Sequence, residues 1–551
     1  MPERHPVLAS GSGGGYTTAH MATYRVLVSD PISEKGVDAL RSAPEIAVDV
    51  NTGLKPDELL AIIGDYDGLV VRSQTKVTAE VFAAAKNLKA IGRAGVGVDN
   101  IDRGAATDHG VVVMNTPSGN TISTAEHAFT LMLSLARNIP QAHATVIAGK
   151  WDRKSFEGVE MHGKRLAILG MGRIGTEFAK RAQAFGMHVV AYDPFLTTAR
   201  AQTLKVELAE TADQALAGAD VVTLHIPLTD ETKHILNRAR ISSMNKGALI
   251  VNCARGGLVD EAAAKELLDS GHLAGIALDV YEVEPPAADH PLFSAKKTVF
   301  TPHLGASTAE AQENVGIEVA HQLKDFLVSG EIRNAVNMPN LDAKTLESVG
   351  PYLNLATALG KLVSKIGPAQ ADAIRVSYLG PVSELDTELI TRTVLNGYLA
   401  GAHHEAQVNL VNAPAVAKSL GLRVTESTVA ISTNYTELIE VSAIKGDETC
   451  TVAGTFFGKA PRIVHIAGHN VETSPTGQFL FVENDDRPGV VGTVGQALGA
   501  AGVNIANMSL SRTSDRTKAV TVIEVDSEPP ASLLEQLRAT PGILRVLSFG
   551  L

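Results

Sequence analysis

Arg255, Glu284 and His303 are the residues whose types and settings point first to chemistry. Each stands just beyond an apolar run. Arg255 follows GALIVNCA, Glu284 ends LAGIALDVYEVE before Pro285-Pro286, and His303 follows TVFTP. Open α/β sheets place their ligand crevice outside the carboxyl ends of the strands, so the three are expected to converge there. Taken singly, each would be read as a solvated or core-satisfied side chain. Three of them at strand ends suit the oxidation of a secondary alcohol. That reaction removes a hydroxyl proton while hydride leaves the same carbon, and a histidine titrating near working pH is the natural base. Glu284 would orient the ring and stabilise the imidazolium. Arg255 would offer a planar fork to a substrate carboxylate and polarise the developing carbonyl.

The hydride acceptor is indicated upstream. Gly170-Met171-Gly172-Arg173-Ile174-Gly175 matches GxGxxG, a weak signal alone. Here the run RLAIL leads into it, TEFAKRAQAFG leaves it as a helix, and HVVAYD ends in Asp193, 18 residues past the last glycine. The first glycine permits the tight turn, the second lets pyrophosphate approach the backbone, and the third packs helix against strand. Asp193 would accept from the adenosine ribose hydroxyls and repel a 2′-phosphate, which favours NAD over NADP.

These residues need a frame. From Tyr24, short apolar runs (YRVLVSD, IAVDV, GLVVRS, LKAIGRAG, VVVMNT) alternate with helical stretches, the pattern of a parallel sheet covered on both faces. A helix is expected over Ser123–Ala148 with a kink at Pro140. A second series (RLAILG, HVVAYD, DVVTLHIP, GALIVNCA, LAGIALDVY, TVFTPH) supplies the strands of a dinucleotide-binding domain. A helix over Ser307–Val328 is expected to return the chain to the first domain. The expected division is a flexible extension over 1–23, a substrate domain over 24–121 and 307–335, and an NAD domain over 122–306. A further α+β domain spans 340–475, with helical VGPYLNLATALGKLVSKIG and strand-like TVAISTNYTELIEVSAI and RIVHIAGHNV. Residues 478–551 read β-α-β-β-α-β, a ferredoxin-like pattern. The fold class is thus α/β, two doubly wound parallel-sheet domains followed by two α+β modules.

Composition excludes other classes. The 551 residues carry a formal net charge of -12, which offers no broad attraction to nucleic acid or anionic membrane. No apolar run approaches the ~18 residues of a span, and the Gly/Ser-rich start lacks a signal peptide's apolar stretch. Two cysteines, Cys253 and Cys450, fit neither a metal site nor a disulfide framework, so no metal and a cytoplasmic setting are expected.

GMGRIG, NCARGGLVDE, ALDVYEVEPP and PHLGAST together resemble the D-isomer-specific 2-hydroxy acid dehydrogenases over roughly residues 24 to 335. The resemblance implies catalytic Arg255, Glu284 and His303. It implies NAD contacts from Gly170, Gly172, Arg173, Ile174, Gly175, Asp193, Ile226, Cys253, Ala254, Gly305 and Ala306, with Asp279 on the nicotinamide side. Segments VVRSQTKV, GRAGVGVDN, SGNTIST and GKWDRKSFEG are similar to those that members acting on D-3-phosphoglycerate place near substrate. They imply substrate contacts from Arg72, Ser73, Val96, Gly97, Asn120 and Arg153, with Trp151 and Lys154 beside the last. FVENDDRPGVVGTVGQALGAAGVNI resembles an ACT module, which implies L-serine as effector at Asn484, Asp486 and Asn504. The preceding domain resembles one for which an added anion site is proposed, where Arg462 and His469 would fall. The family and the ACT module, which tends to pair edge strands, imply a homo-oligomer, a tetramer or at least a dimer. Two rivals remain: a reductase of an unphosphorylated hydroxy acid, and an NAD-sensing binding protein without turnover.

Overall fold

In the computed structural model, residues 23–401, 408–428 and 435–551 are described. The expected extension over 1–23 falls almost wholly outside them. Four sheets carry the fold. The first is parallel, in the order Ile46–Val50, Tyr24–Val28, Gly68–Val71, Ala90–Arg93, Val112–Asn115. The second is a seven-stranded parallel sheet, in the order Thr298–Phe300, Leu273–Leu278, Ala248–Asn252, Val221–Leu224, Arg165–Leu169, His188–Tyr192, Glu207–Leu208. The strands are short and apolar because helices cover both faces, and the central strands are buried while the edge strands and some strand ends stay partly exposed. Each order reverses next to its first strand, the place where such sheets open a crevice.

Helix Ala309–Ser329 leaves the second sheet and packs on the first sheet and on helix Glu34–Arg41. The approach is close enough to require glycine: a Cβ on Gly36 would lie 2.5 Å from the Gly316 carbonyl oxygen. The outward path is not the single kinked helix expected over Ser123–Ala148. Helix Thr121–Ala136 ends, Asn138 turns at φ 53°, and a separate helix, Ile139–Ile147, begins. Pro140 sits in the first turn of that second helix, where its missing N–H is not needed.

The third sheet runs Arg423–Thr428, Ala373–Leu379, Leu438–Lys445, Glu448–Phe457, Ala460–Ile466, His469–Thr473, backed by helices Ala343–Ile366 and Thr387–Gly401. These helices meet through glycines, a Cβ on Gly360 falling 2.1 Å from the Val394 carbonyl oxygen. RIVHIAGHNV is a hairpin rather than one strand. Ala467 and Gly468 take φ of 49° and 88°, the two left-handed residues of a tight hairpin turn. The fourth sheet, Ile505–Arg512, Lys518–Val525, Gln478–Asp485, Ile543–Gly550, is antiparallel and has the β-α-β-β-α-β order that the sequence indicates. Among the described residues no helix is long and apolar enough to cross a membrane.

Candidate active site

His303 sits in an unusual backbone conformation, φ 55°, three residues past strand Thr298–Phe300. Side-chain-bearing residues adopt it uncommonly, so something must hold the turn. Asp279, just past Leu273–Leu278, does so. Its main-chain carbonyl accepts the His303 amide at 3.0 Å. Its carboxylate accepts the amides of Leu304 at 2.7 Å and Gly305 at 2.8 Å, and the Thr301 hydroxyl at 2.5 Å. Asp279 is fully buried. Burial pushes its carboxyl pKa up, but the bonds from His127, Thr301 and Leu304 prevail and hold it below the usual range.

The His303 ring is oriented from one side. Nδ1 lies 2.8 Å from Glu284 Oε2, and the other oxygen of Glu284 accepts the Tyr281 amide at 3.1 Å. Nε2 is therefore the nitrogen left to meet a substrate hydroxyl. The Glu284 bond raises the His303 pKa against the opposing effect of burial, and the Glu284 charge adds to the rise. Burial pushes Glu284 up, while the His303 bond and charge pull it below its ordinary value. The sign of a test follows. With His303 as the expected base, alcohol oxidation would need it neutral, so a raised pKa would place the acid-side fall of kcat/KM at higher pH. Glu284→Gln is expected to move that fall to lower pH and to reduce the plateau. An unmoved acid limb in the pH profile would remove Glu284 from this role.

Arg255 enters from the neighbouring strand end. The Asn252 side chain folds the turn, donating to the Arg255 carbonyl at 2.8 Å and accepting the Ala254 amide at 3.0 Å. The guanidinium is anchored by Nη1 on the Ala254 carbonyl at 2.7 Å and reaches across the cleft, with Nε 3.2 Å from Asp99. Gly97 makes room for it: a Cβ there would lie 2.1 Å from Arg255 Nη2.

The first sheet supplies a facing set. Asp30 winds the loop after Val71, accepting the Arg72 amide at 2.6 Å and the Thr75 amide and hydroxyl. Asn100 closes it through the carbonyls of Arg72 and Thr75, both at 2.7 Å. Ser73 is exposed at its tip, and Val96 accepts from Asn115 at 2.5 Å. Arg93, passed over as a site residue in the sequence, ends strand Ala90–Arg93 and folds back so tightly over Gly95 that a Cβ there would lie 1.5 Å from Nη1. Burial, and then the like charge of Arg255, pull its pKa down to about 10. It makes no carboxylate ion pair among the described residues, and its buried Nε has no partner. The signal was available, since Arg93 is the polar residue at the end of LKAIGR. Asn120 is likewise buried, with an unpartnered Oδ1. Arg153 and Trp151 are exposed, and no contact among the described residues joins Arg153 to this set.

The glycine loop fits a dinucleotide. Gly170 takes φ 98°, and a Cβ on it would strike the His225 carbonyl oxygen at 2.5 Å. Gly175 packs 2.0 Å from the Gly170 carbonyl oxygen by the same measure, whereas Gly172 faces open space. Gly172 begins helix Arg173–Ala184 with no side-chain cap, leaving its first amides for phosphate. Arg173 is exposed, and Ile174, Ile226, Ala254 and Ala306 are half-buried around the loop ends. Cys253 is buried, and burial raises its thiol pKa far above the usual value. Asp193 ends its strand beside the loop, accepting the Met171 amide at 2.8 Å and the Phe195 amide at 2.8 Å. Each oxygen accepts one of these amides and has a further lone pair to offer. Asp193→Ser is expected to raise the kcat/KM ratio for NADP over NAD by roughly tenfold or more, read from initial rates. An unchanged ratio would leave Asp193 only its hold on the loop.

The three residues expected to hold serine do not meet within one chain. Asn484 is buried with its amide on the Asp485 carbonyl, and Asp486 is ion-paired to Arg512. Both lie at the Lys518 end of strand Lys518–Val525. Asn504 lies at the other end, where its side chain donates to Asp526 at 2.7 Å. Seven residues of strand separate the two ends, roughly 23 Å. The intervening helix Val490–Ala500 separates what the sequence sets only eighteen residues apart. Arg462 and His469 lie on adjoining strands of the third sheet; Arg462 Nε is 3.9 Å from Glu472, and burial lowers the His469 pKa.

Comparison with known proteins accords with the geometry. The model of the D-isomer specific 2-hydroxyacid dehydrogenase NAD binding domain matches residues 129–305. The D-3-phosphoglycerate dehydrogenase intervening domain matches 348–467, and the ACT domain 479–542. The D-3-phosphoglycerate dehydrogenase of Archaeoglobus fulgidus is 43% identical over 523 residues, 94% of this chain and 98% of that one. That of Methanocaldococcus jannaschii is 42% identical over 519 residues, 94% and 98% of the two chains. Among solved structures, NAD-dependent formate dehydrogenase from Staphylococcus aureus in complex with NAD superposes with a TM-score of 0.51. It is 27% identical and covers 57% of this chain and 99% of its own. Fold and site thus define an NAD-dependent dehydrogenase of the D-isomer-specific 2-hydroxyacid class. With relatives matched over nearly its whole length, the chain belongs to the D-3-phosphoglycerate dehydrogenase family.

Proposed function

We propose that this dehydrogenase oxidises C2 of D-3-phosphoglycerate to 3-phosphohydroxypyruvate, the first step of phosphorylated L-serine synthesis. The observation that supports the substrate is the cationic end of the cleft, where the charges of Arg255 and Arg72 act on Arg93, are only partly offset by Asp99 and Asp30, and Arg93 makes no carboxylate ion pair among the described residues. A substrate with a carboxylate and a phosphate answers that excess, and an unphosphorylated hydroxy acid answers only part of it. NAD, held by Gly170, Gly172, Arg173, Gly175 and Asp193, supplies the hydride acceptor. His303 Nε2 takes the hydroxyl proton, and Glu284 stabilises the imidazolium that results. Arg255 aligns the carboxylate and draws charge toward the forming carbonyl. Arg72→Gln tests the phosphate reading. A charge-assisted hydrogen bond contributes about 1.5–3 kcal/mol, so kcat/KM for D-3-phosphoglycerate should fall roughly ten- to a hundredfold while that for D-glycerate holds. Equal losses on both acids would overturn it.

The C-terminal modules support feedback by L-serine and assembly of a homo-oligomer. Because Asp486 and Asn504 lie at opposite ends of one ACT sheet, a serine site using both draws them from two copies of the chain. The rival NAD sensor has no use for the ordered Glu284–His303 pair.

A further inference from the structure

Helix Thr121–Ala136, which carries the chain into the NAD domain, does more than connect the two domains. Two of its side chains, one turn apart, reach into the turn that bears His303. Thr124 Oγ1 donates to the Gly305 carbonyl at 3.1 Å, and His127 Nε2 lies 3.2 Å from Asp279 Oδ1 and 3.1 Å from Thr301 Oγ1. The Thr301 hydroxyl gives its own proton to Asp279, so the His127 nitrogen between two acceptors must be a donor. Asp279 is the fully buried carboxylate around which residues 303–305 are wound. A buried carboxylate with too few donors takes up a proton or draws in water. It would then lose its acceptor geometry toward the two amides.

We infer that His127 is a positioning residue: through Asp279 it fixes the His303–Gly305 turn, so that the catalytic histidine is set by the crossover helix. His127 itself touches neither His303 nor Glu284 among the contacts of the described residues. Its effect passes through one carboxylate. Of the donors on Asp279, two are amides of the turn, Thr301 belongs to the same strand end, and His127 alone comes from another element. The inference rests on His303 as the acid/base and holds for whichever 2-hydroxy acid the enzyme takes.

The test compares His127→Leu, which removes the donor, with His127→Gln, whose side-chain amide restores one. Both are assayed beside the unsubstituted enzyme on the hydroxy acid it oxidises fastest, with NADH affinity measured by fluorescence titration. His127→Leu should lower kcat by roughly tenfold or more, as loss of a donor to a buried charged group implies, with KM for the acid within about threefold. NADH affinity should weaken little, and His127→Gln should recover most of kcat. Equal impairment of the two variants, or a wild-type kcat in His127→Leu, would overturn it. Should His127→Leu not fold, Thr124→Val removes the second grip, and an unchanged kcat there would equally contradict control from this helix. No rate in the unsubstituted enzyme with D-3-phosphoglycerate would instead count against the substrate reading.

Discussion

Replacing His303 by alanine is expected to lower turnover by roughly two to four powers of ten and to leave NADH binding within about threefold of the parent. The first part follows from the geometry. With Nδ1 held by Glu284, Nε2 is the one ring nitrogen free to take the hydroxyl proton, and a water in its place would be a far weaker base. The second part follows from the placement of the fold-holding bonds. The turn is secured by main-chain and side-chain atoms of Asp279, not by the imidazole, and an alanine keeps the amide that donates to the Asp279 carbonyl. Single-turnover rates and fluorescence titration of NADH separate the two. Near-normal turnover would move the acid/base role elsewhere, and lost NADH binding would mean that the ring supports the cofactor crevice.

Arg255→Lys should cost nearly as much, roughly two to three powers of ten in kcat/KM. Charge is retained, so the loss measures the fork. Nη1 is anchored on its own strand end and Nε is paired with Asp99, which fixes the plane of the guanidinium before any substrate arrives. A lysine ammonium offers a point charge on a flexible stem and reproduces neither the plane nor the paired N–H groups. The Gly97 opening, shaped to Nη2, would be left unfilled. Both kcat and KM should suffer if, as proposed, the fork serves carboxylate binding and the developing carbonyl alike. A change in KM alone would confine Arg255 to substrate binding.

How much of this was legible beforehand depends on the range of the cause. Arg255, Glu284 and His303 each follow an apolar run, and strand ends are local features. The glycine loop is equally local. The contacts around Asp279 are not: His127 is 152 residues away from it and sits mid-helix, where a histidine carries no pattern. Asp279 is expected on the nicotinamide side from the resemblance alone, and the four hydrogen bonds its carboxylate accepts, from His127, Thr301, Leu304 and Gly305, have no local signature. Pro140 misled because proline in a helical pattern reads as a kink, while the break is set by Asn138 two residues earlier. In the third sheet, strand Glu448–Phe457 is not among the runs singled out in the sequence, and Gly454 stands within it. That glycine faces Leu355 of the backing helix, where a Cβ would lie 2.6 Å from the leucine methyl. Arg93 was in view but undistinguished from other arginines. Only its burial, its like-charged neighbour and its unpartnered buried Nε single it out.

The central claim is that a cleft with surplus arginine charge selects a phosphorylated D-2-hydroxy acid. It is tested most directly by the initial rate of NADH formation with D-3-phosphoglycerate and, side by side, with D-glycerate. The account predicts a kcat/KM larger for the phosphorylated acid by at least roughly a hundredfold, the worth of one or two charge-assisted hydrogen bonds. Equal or reversed preference would contradict it, leaving a dehydrogenase whose Arg72 and Arg93 serve something other than a substrate phosphate.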